Sequence, residues 1–253
     1  MPLTVFLFLF LLQNPDSVLT QIGIDQKLDS KINPNISFRD DAGQTVNIGD
    51  YFGKKPIILT PVYYECPMLC SLALNGLVKT LRAMPLIAGK EFEIVTFSID
   101  PYETPELARA KKEEYVRDYG QSQAQTGWHF LTGTAESIRK LTDQIGFRYA
   151  YETYTKQWAH ISALVVLTPD GRVSQYFYGI EYDPASLRLS LIQASDEKIG
   201  TVVDHVLLYC FRFNSTTGKY SLAIMRVLRV VGLGAVLALV SLVIIGSRKR
   251  KEA

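Results

Sequence analysis

At 253 residues the chain has room for one medium domain with flanking segments, and not for a second large domain. Its 47% apolar and 21% charged content is that of a globular protein with a modest surplus of lipid-facing sequence. The net charge of +2 comes from the last six residues, RKRKEA; the rest stands at about −1, which excludes a basic nucleic-acid binder.

Leu3 to Leu12 is an apolar run of ten residues, too short to span a bilayer and of the length of a signal-peptide h-region. Residues 1–17 are therefore read as a signal peptide or short hydrophobic leader, and 18–34 as a leader segment with weak helical patterning. ISFRD and QTVNI alternate around Asp41-Ala42-Gly43, which predicts a hairpin. PIILTPVY is a nearly continuous apolar run, as in a strand buried on both faces. Behind it, Leu72, Leu74, Leu77, Val78, Leu81 and Met84 are spaced as on a helix. EIVTFSID predicts another buried strand.

Thr104-Pro105-Glu106 then reads as an N-cap, a first-turn proline and an acidic residue, opening a helix to about Tyr119. WHFLTG is a short strand, and Thr134 caps a helix that Gly146 ends. FRYAYETY, ISALVVLT and RVSQYFYG read as three strands, the last two joined by the turn Pro169-Asp170-Gly171. Asp183-Pro184 opens a final helix to about Ser195. Early alternation predicts parallel strands, and the closing hairpin adds antiparallel ones. The expectation is an α/β fold with a mixed central sheet flanked by helices, over residues 35–195. There is no internal repeat, Gly-rich phosphate loop or dinucleotide fingerprint.

Residues 196–226 form a membrane-proximal segment. Val230 to Ser247 is 18 residues without a charge, long enough for a transmembrane helix, which Val227 and Leu228 extend if Arg229 snorkels. The span is placed at 227–247. Arg248, Lys249, Arg250 and Lys251 follow at once, so the tail 248–253 is expected in the cytoplasm and the domain on the extracytoplasmic side.

Three cysteines are too few for a disulfide framework. Cys66 and Cys70 lie at a strand-to-helix junction, the layout of thioredoxin-like redox motifs. A helix N-terminus stabilises thiolate over thiol, and Pro67 fits a first helical turn. Cys-x-x-x-Cys spacing on a helix faces both sulfurs one way. Soft thiolates select Cu(I), Zn or iron–sulfur centres, and the last of these needs four ligands. A third ligand is wanted. Of the three histidines, His160 stands immediately before a buried strand, where that strand enters beside the cysteine loop. Two thiolates and an imidazole suit Cu(I) and could bind Cu(II). Met68 offers a thioether but is expected to pack inward. His129 is expected at a packing or surface position. His205 and Cys210 lie five apart near the anchor and are read as a partly buried pair.

YYECPMLC, VTFSIDPYETPE, WAHISALVVLTPDG and SQYFYG, in that order, resemble the Sco/SenC copper-delivery proteins over roughly residues 35–195. The resemblance implies a thioredoxin fold that binds copper through two Cys and one His, here Cys66, Cys70 and His160. It also implies a partner: subunit II of cytochrome c oxidase, or another copper-site client, whose CuA centre receives copper or has its cysteines reduced. Asp100 in SIDP matches an acidic residue near the family's copper loop; by itself the residue reads as a turn cap. The chain departs from the family at Ser71, where many members have proline, and in its C-terminal rather than N-terminal anchor. It looks like a bacterial branch with an extra segment after Ser195.

Two functions compete. A metallochaperone would depend on His160; a membrane-anchored thiol–disulfide oxidoreductase would use Cys66 and Cys70 without it. A peroxidase of the peroxiredoxin type and a membrane-linked sensor are lesser alternatives, and RKRKEA is too short to carry a signalling partner domain.

Overall fold

A computed structural model describes residues 18–197 together with 213–214 and 219–220. The chain divides into two compact units, residues 1–200 and 201–253. In the second, Phe213–Asn214 pairs antiparallel with Lys219–Tyr220. The leader 1–17, the span 227–247, His205 and Cys210 lie outside the described residues. Among the described residues no helix is long and apolar enough to cross a membrane.

The first unit opens with a helical turn, α1 (Val18–Gln21), and a short strand, β1 (Gly23–Ile24). The predicted hairpin follows as β2 (Ser37–Arg39) and β3 (Thr45–Asn47), with a 3₁₀ turn at Ile48–Tyr51. β4 (Ile57–Val62) is buried at every position, as its apolar run predicts. α2 (Leu69–Arg82) and β5 (Glu93–Ser98) come next. α3 (Pro105–Tyr119) begins where Thr104 accepts a hydrogen bond from the Leu107 N–H, and ends at Gly120, whose φ of 77° suits glycine. A single turn, α4 (Ala124–Gly127), precedes β6 (Trp128–Leu131). α5 (Ala135–Gln144) is capped by Thr134, as expected.

FRYAYETY is not one strand. It splits into β7 (Phe147–Arg148), which pairs with β1, and β8 (Ala150–Glu152), which pairs with β9 (Gln157–Ala159). β10 (Ala163–Leu167), β11 (Val173–Tyr178) and α6 (Pro184–Ser195), the last capped by Asp183, complete the unit.

The five-stranded sheet runs β11-β10-β4-β5-β6. β4, β5 and β6 are parallel, while β10 is antiparallel to both β4 and β11. Buried hydroxyls tie the parallel strands together: Thr60 donates to Thr96 at 2.7 Å, and so does the Trp128 indole at 2.9 Å. The Tyr64 hydroxyl donates to the Leu131 carbonyl at 2.7 Å, fixing the chain leaving β4 to the end of β6. Such satisfied buried groups specify one register, since an orphaned one would cost about 1–3 kcal/mol.

α2 lays Ala73, Leu74, Leu77, Val78 and Leu81 on the sheet. Leu72 does not join that face and is 43% exposed. Gly76 sits where α2 meets the loop before α6; a Cβ there would stand 1.8 Å from the Ile180 carbonyl oxygen. In an isolated helix Gly→Ala gains about 1 kcal/mol. Here the sign reverses: Gly76→Ala is expected to lose about 2 kcal/mol, because backbone must move to admit the methyl. Urea unfolding with an unchanged m-value would check it.

Candidate metal centre

The site forms where β4 ends. Tyr63 to Met68 form the loop between β4 and α2, and Cys70 is the second residue of that helix. The helix starts later than the spacing suggests, so Pro67 lies in the loop and not in a first helical turn. Convergence of the two sulfurs therefore comes from capping and not from helical phase. Cys66 Sγ accepts the Cys70 N–H at 3.3 Å, satisfying one of the donors a helix start leaves open. Met68 occupies the N-cap position with no side-chain cap bond. Its thioether does not pack inward: Met68 is 67% exposed.

Cys70 is 3% exposed, and Cys66 is half-buried; both are free thiols. His160 follows β9 directly and is 8% exposed. Its Nε2 lies 3.2 Å from Cys70 Sγ, while Nδ1 lies 2.8 Å from the Ile161 carbonyl oxygen. A carbonyl can only accept, so Nδ1 carries the proton and Nε2 turns its lone pair toward the sulfurs. The backbone thus selects the tautomer a metal ligand needs. The three ligand atoms all lie within 4.8 Å of one another. The structure therefore brings together Cys66, Cys70 and His160, the three residues singled out from sequence. Two thiols and an imidazole, buried on the Cys70 side, fit a soft ion of low coordination number.

The sulfurs are electrostatically unequal. A hydrogen bond from the Cys70 thiol holds the Cys66 thiol far below its ordinary pKa, with help from backbone N–H groups at the helix start, against opposing burial. That same bond, and burial, push the Cys70 thiol up. Tyr63 closes the wall: its ring meets His160 edge-on at 5.7 Å, and burial and a hydrogen bond to Cys66 keep its hydroxyl neutral. Phe147 flanks the imidazole at 6.0 Å.

Glu103 escaped sequence reasoning. It is buried at the mouth of α3 and accepts from the Tyr64 N–H and the Glu65 N–H, each at 2.8 Å, and from the Ser98 hydroxyl. One carboxylate thus clamps the two residues that precede Cys66. Asp100 does not reach the sulfurs' loop in this way; it accepts from the Tyr102 N–H at 2.9 Å, the turn cap its own reading predicts. His129 also stands apart, 3.3 Å from Glu93 and against the Tyr51 ring, near the start of β5 and β6.

The SCO1/SenC family model matches residues 24–193. The chain belongs to the SCO1/SenC family. No curated protein sequence matches it. Among solved structures, it is similar to an Aquifex aeolicus VF5 protein assigned provisionally to electron transfer, at 28% identity and a TM-score of 0.60, over 68% of this chain and 96% of that one. Arabidopsis thaliana ScoI with copper bound matches at 20% identity and a TM-score of 0.50, over 68% and 99%. BsSco, a Sco-family cytochrome c oxidase assembly protein with a disulfide switch, matches at 20% and 0.52, over 68% and 98%. The first unit accordingly has the mixed α/β architecture of the Sco thioredoxin-like fold.

Proposed function

We propose that this SCO1/SenC chain is a Cu(I) carrier of cytochrome c oxidase assembly, held at the membrane by residues 227–247 with its domain on the extracytoplasmic side. Copper is cargo here, taken up by Cys66 Sγ, Cys70 Sγ and His160 Nε2 and passed by ligand exchange to the CuA site of a subunit II-like client. The carrying observation is the convergence of those three atoms within 4.8 Å, with the imidazole tautomer already set. Family membership supports the class of client. The uncharged run Val230–Ser247 and the four basic residues behind it support the anchor and its direction.

A test is Cu(I) titration of the reduced full-length chain in detergent against a competing chelator. One copper per chain is expected. His160→Ala should weaken binding at least tenfold, roughly 1.4 kcal/mol. Binding indifferent to His160 would refute the three-ligand site.

The unequal thiols favour a second reading, a thiol–disulfide oxidoreductase. The Cys66 thiolate would attack a client disulfide, expelling one client thiolate and forming a mixed disulfide. Cys70 would then lose its proton and attack Cys66, leaving the client reduced and Cys66–Cys70 oxidised. Retention of that activity in His160→Ala, with copper binding lost, would decide for it.

A further inference from the structure

Two of the three ligands cannot meet a partner. Cys70 and His160 are buried, and only Cys66 reaches solvent. Copper exchange with another molecule must therefore pass over the Cys66 face. The residue beside that face is Met68, which lies between the two cysteines at the N-cap of α2 with its side chain in solvent. Met84, the other methionine among the described residues, is buried.

Stability does not account for Met68. The N-cap favours Ser, Thr, Asp or Asn, each better than an apolar residue by about 1 kcal/mol. The Met68 side chain makes no cap bond, and a sulfur from Cys66 does the capping instead. A large apolar side chain left in water also contributes no burial. What methionine brings to this position is a soft donor that carries no proton. Unlike a thiolate, a thioether binds and releases copper with no proton to exchange. It also forms no disulfide with Cys66.

Resting on the copper reading above, we infer that Met68 is a transfer ligand. Its thioether takes a coordination position on Cu(I) while the metal moves between the buried pocket and a partner's donors. The exchange is redox-neutral. A Cu–S(thioether) bond forms as a bond to a buried ligand breaks, copper stays Cu(I), and a proton is taken from solvent only where the freed ligand is the Cys70 thiolate. The ligand class served is Cu(I) and not Cu(II), since thioethers favour the softer ion.

The test uses the reduced full-length chain in detergent, loaded with one Cu(I). Release to excess bicinchoninate is followed by absorbance, and affinity by competition. Met68→Leu keeps the shape and removes the donor; Met68→Ser gives the position a cap former. Both variants should hold Cu(I) within about threefold of wild type yet release it about tenfold more slowly. Thermal stability should be unchanged or raised in Met68→Ser, a movement opposite to that of a structural role. Unchanged release rates with normal binding overturn this inference alone. Faster release with weaker binding makes Met68 a resident ligand and also overturns it. A wild-type chain that takes up no Cu(I) overturns the copper reading and this inference together.

Discussion

Glu103→Ala is expected to cost about 3 kcal/mol of stability and to weaken Cu(I) binding by more than tenfold. The carboxylate accepts three hydrogen bonds, and two of the donors are the backbone N–H groups of Tyr64 and Glu65. Truncation leaves both without an acceptor beside the sulfur they position. The third donor, the Ser98 hydroxyl, has a fallback in the Asp100 carbonyl at 3.2 Å, which keeps the total below the sum of three full penalties. Copper affinity falls because ordering the loop becomes part of the cost of binding.

Glu103→Gln separates charge from hydrogen bonding. An amide offers one acceptor oxygen and turns an NH₂ toward a donor, so it too is destabilising. Burial raises the folded-state pKa of Glu103, against the bonds from Ser98, Tyr64 and Glu65, and Asp100 adds to the rise. A carboxyl raised on folding contributes most below its unfolded value of about 4.3 and loses that contribution as pH climbs through its folded value. The stability gap between wild type and Glu103→Gln should therefore be widest near pH 4 and narrower at pH 7. Chemical denaturation at both values would measure it, and a gap that widens with pH would contradict the buried, elevated carboxyl.

What the sequence disclosed and what it hid divide by range. Thr104-Pro105 and Asp183-Pro184 mark helix starts because a cap acts within three residues of itself. The buried strands β4 and β10 are apolar throughout, so their runs are legible alone. FRYAYETY misleads because its residues have uniform strand propensity while their partners differ: Arg148 pairs with Gly23, and Tyr151 with Trp158. No local rule carries that division. Glu103 reads locally as an acid beside a helix start, and only the distant Tyr64 and Glu65 amides reveal its use. Met68 reads as inward-facing from sequence because Pro67 suggests an earlier helix. The Cys66 sulfur delays the start by taking the cap, and that turns Met68 outward.

The two thiols should differ in reactivity by orders of magnitude. In the apo, reduced chain, iodoacetamide is expected to modify Cys66 and leave Cys70 untouched. The reason is electrostatic and steric together: Cys66 is a half-exposed thiolate stabilised by the Cys70 thiol, and Cys70 is buried with its proton retained. An ordinary thiol titrates near pH 8.5, so between pH 8 and pH 6 its alkylation slows by nearly a hundredfold. Cys66 is already ionised across that range, and its rate should change by less than about threefold. The same arrangement sets the proton count for copper. Both sulfurs must be thiolates to bind, but only Cys70 still holds a proton at pH 7, so about one proton should be released per Cu(I). Apparent affinity then rises about tenfold per pH unit in that region, because the apo state is the one that binds the extra proton. Two protons per copper, or a Cys66 rate that follows an ordinary thiol, would mean that the two thiols do not differ in this way.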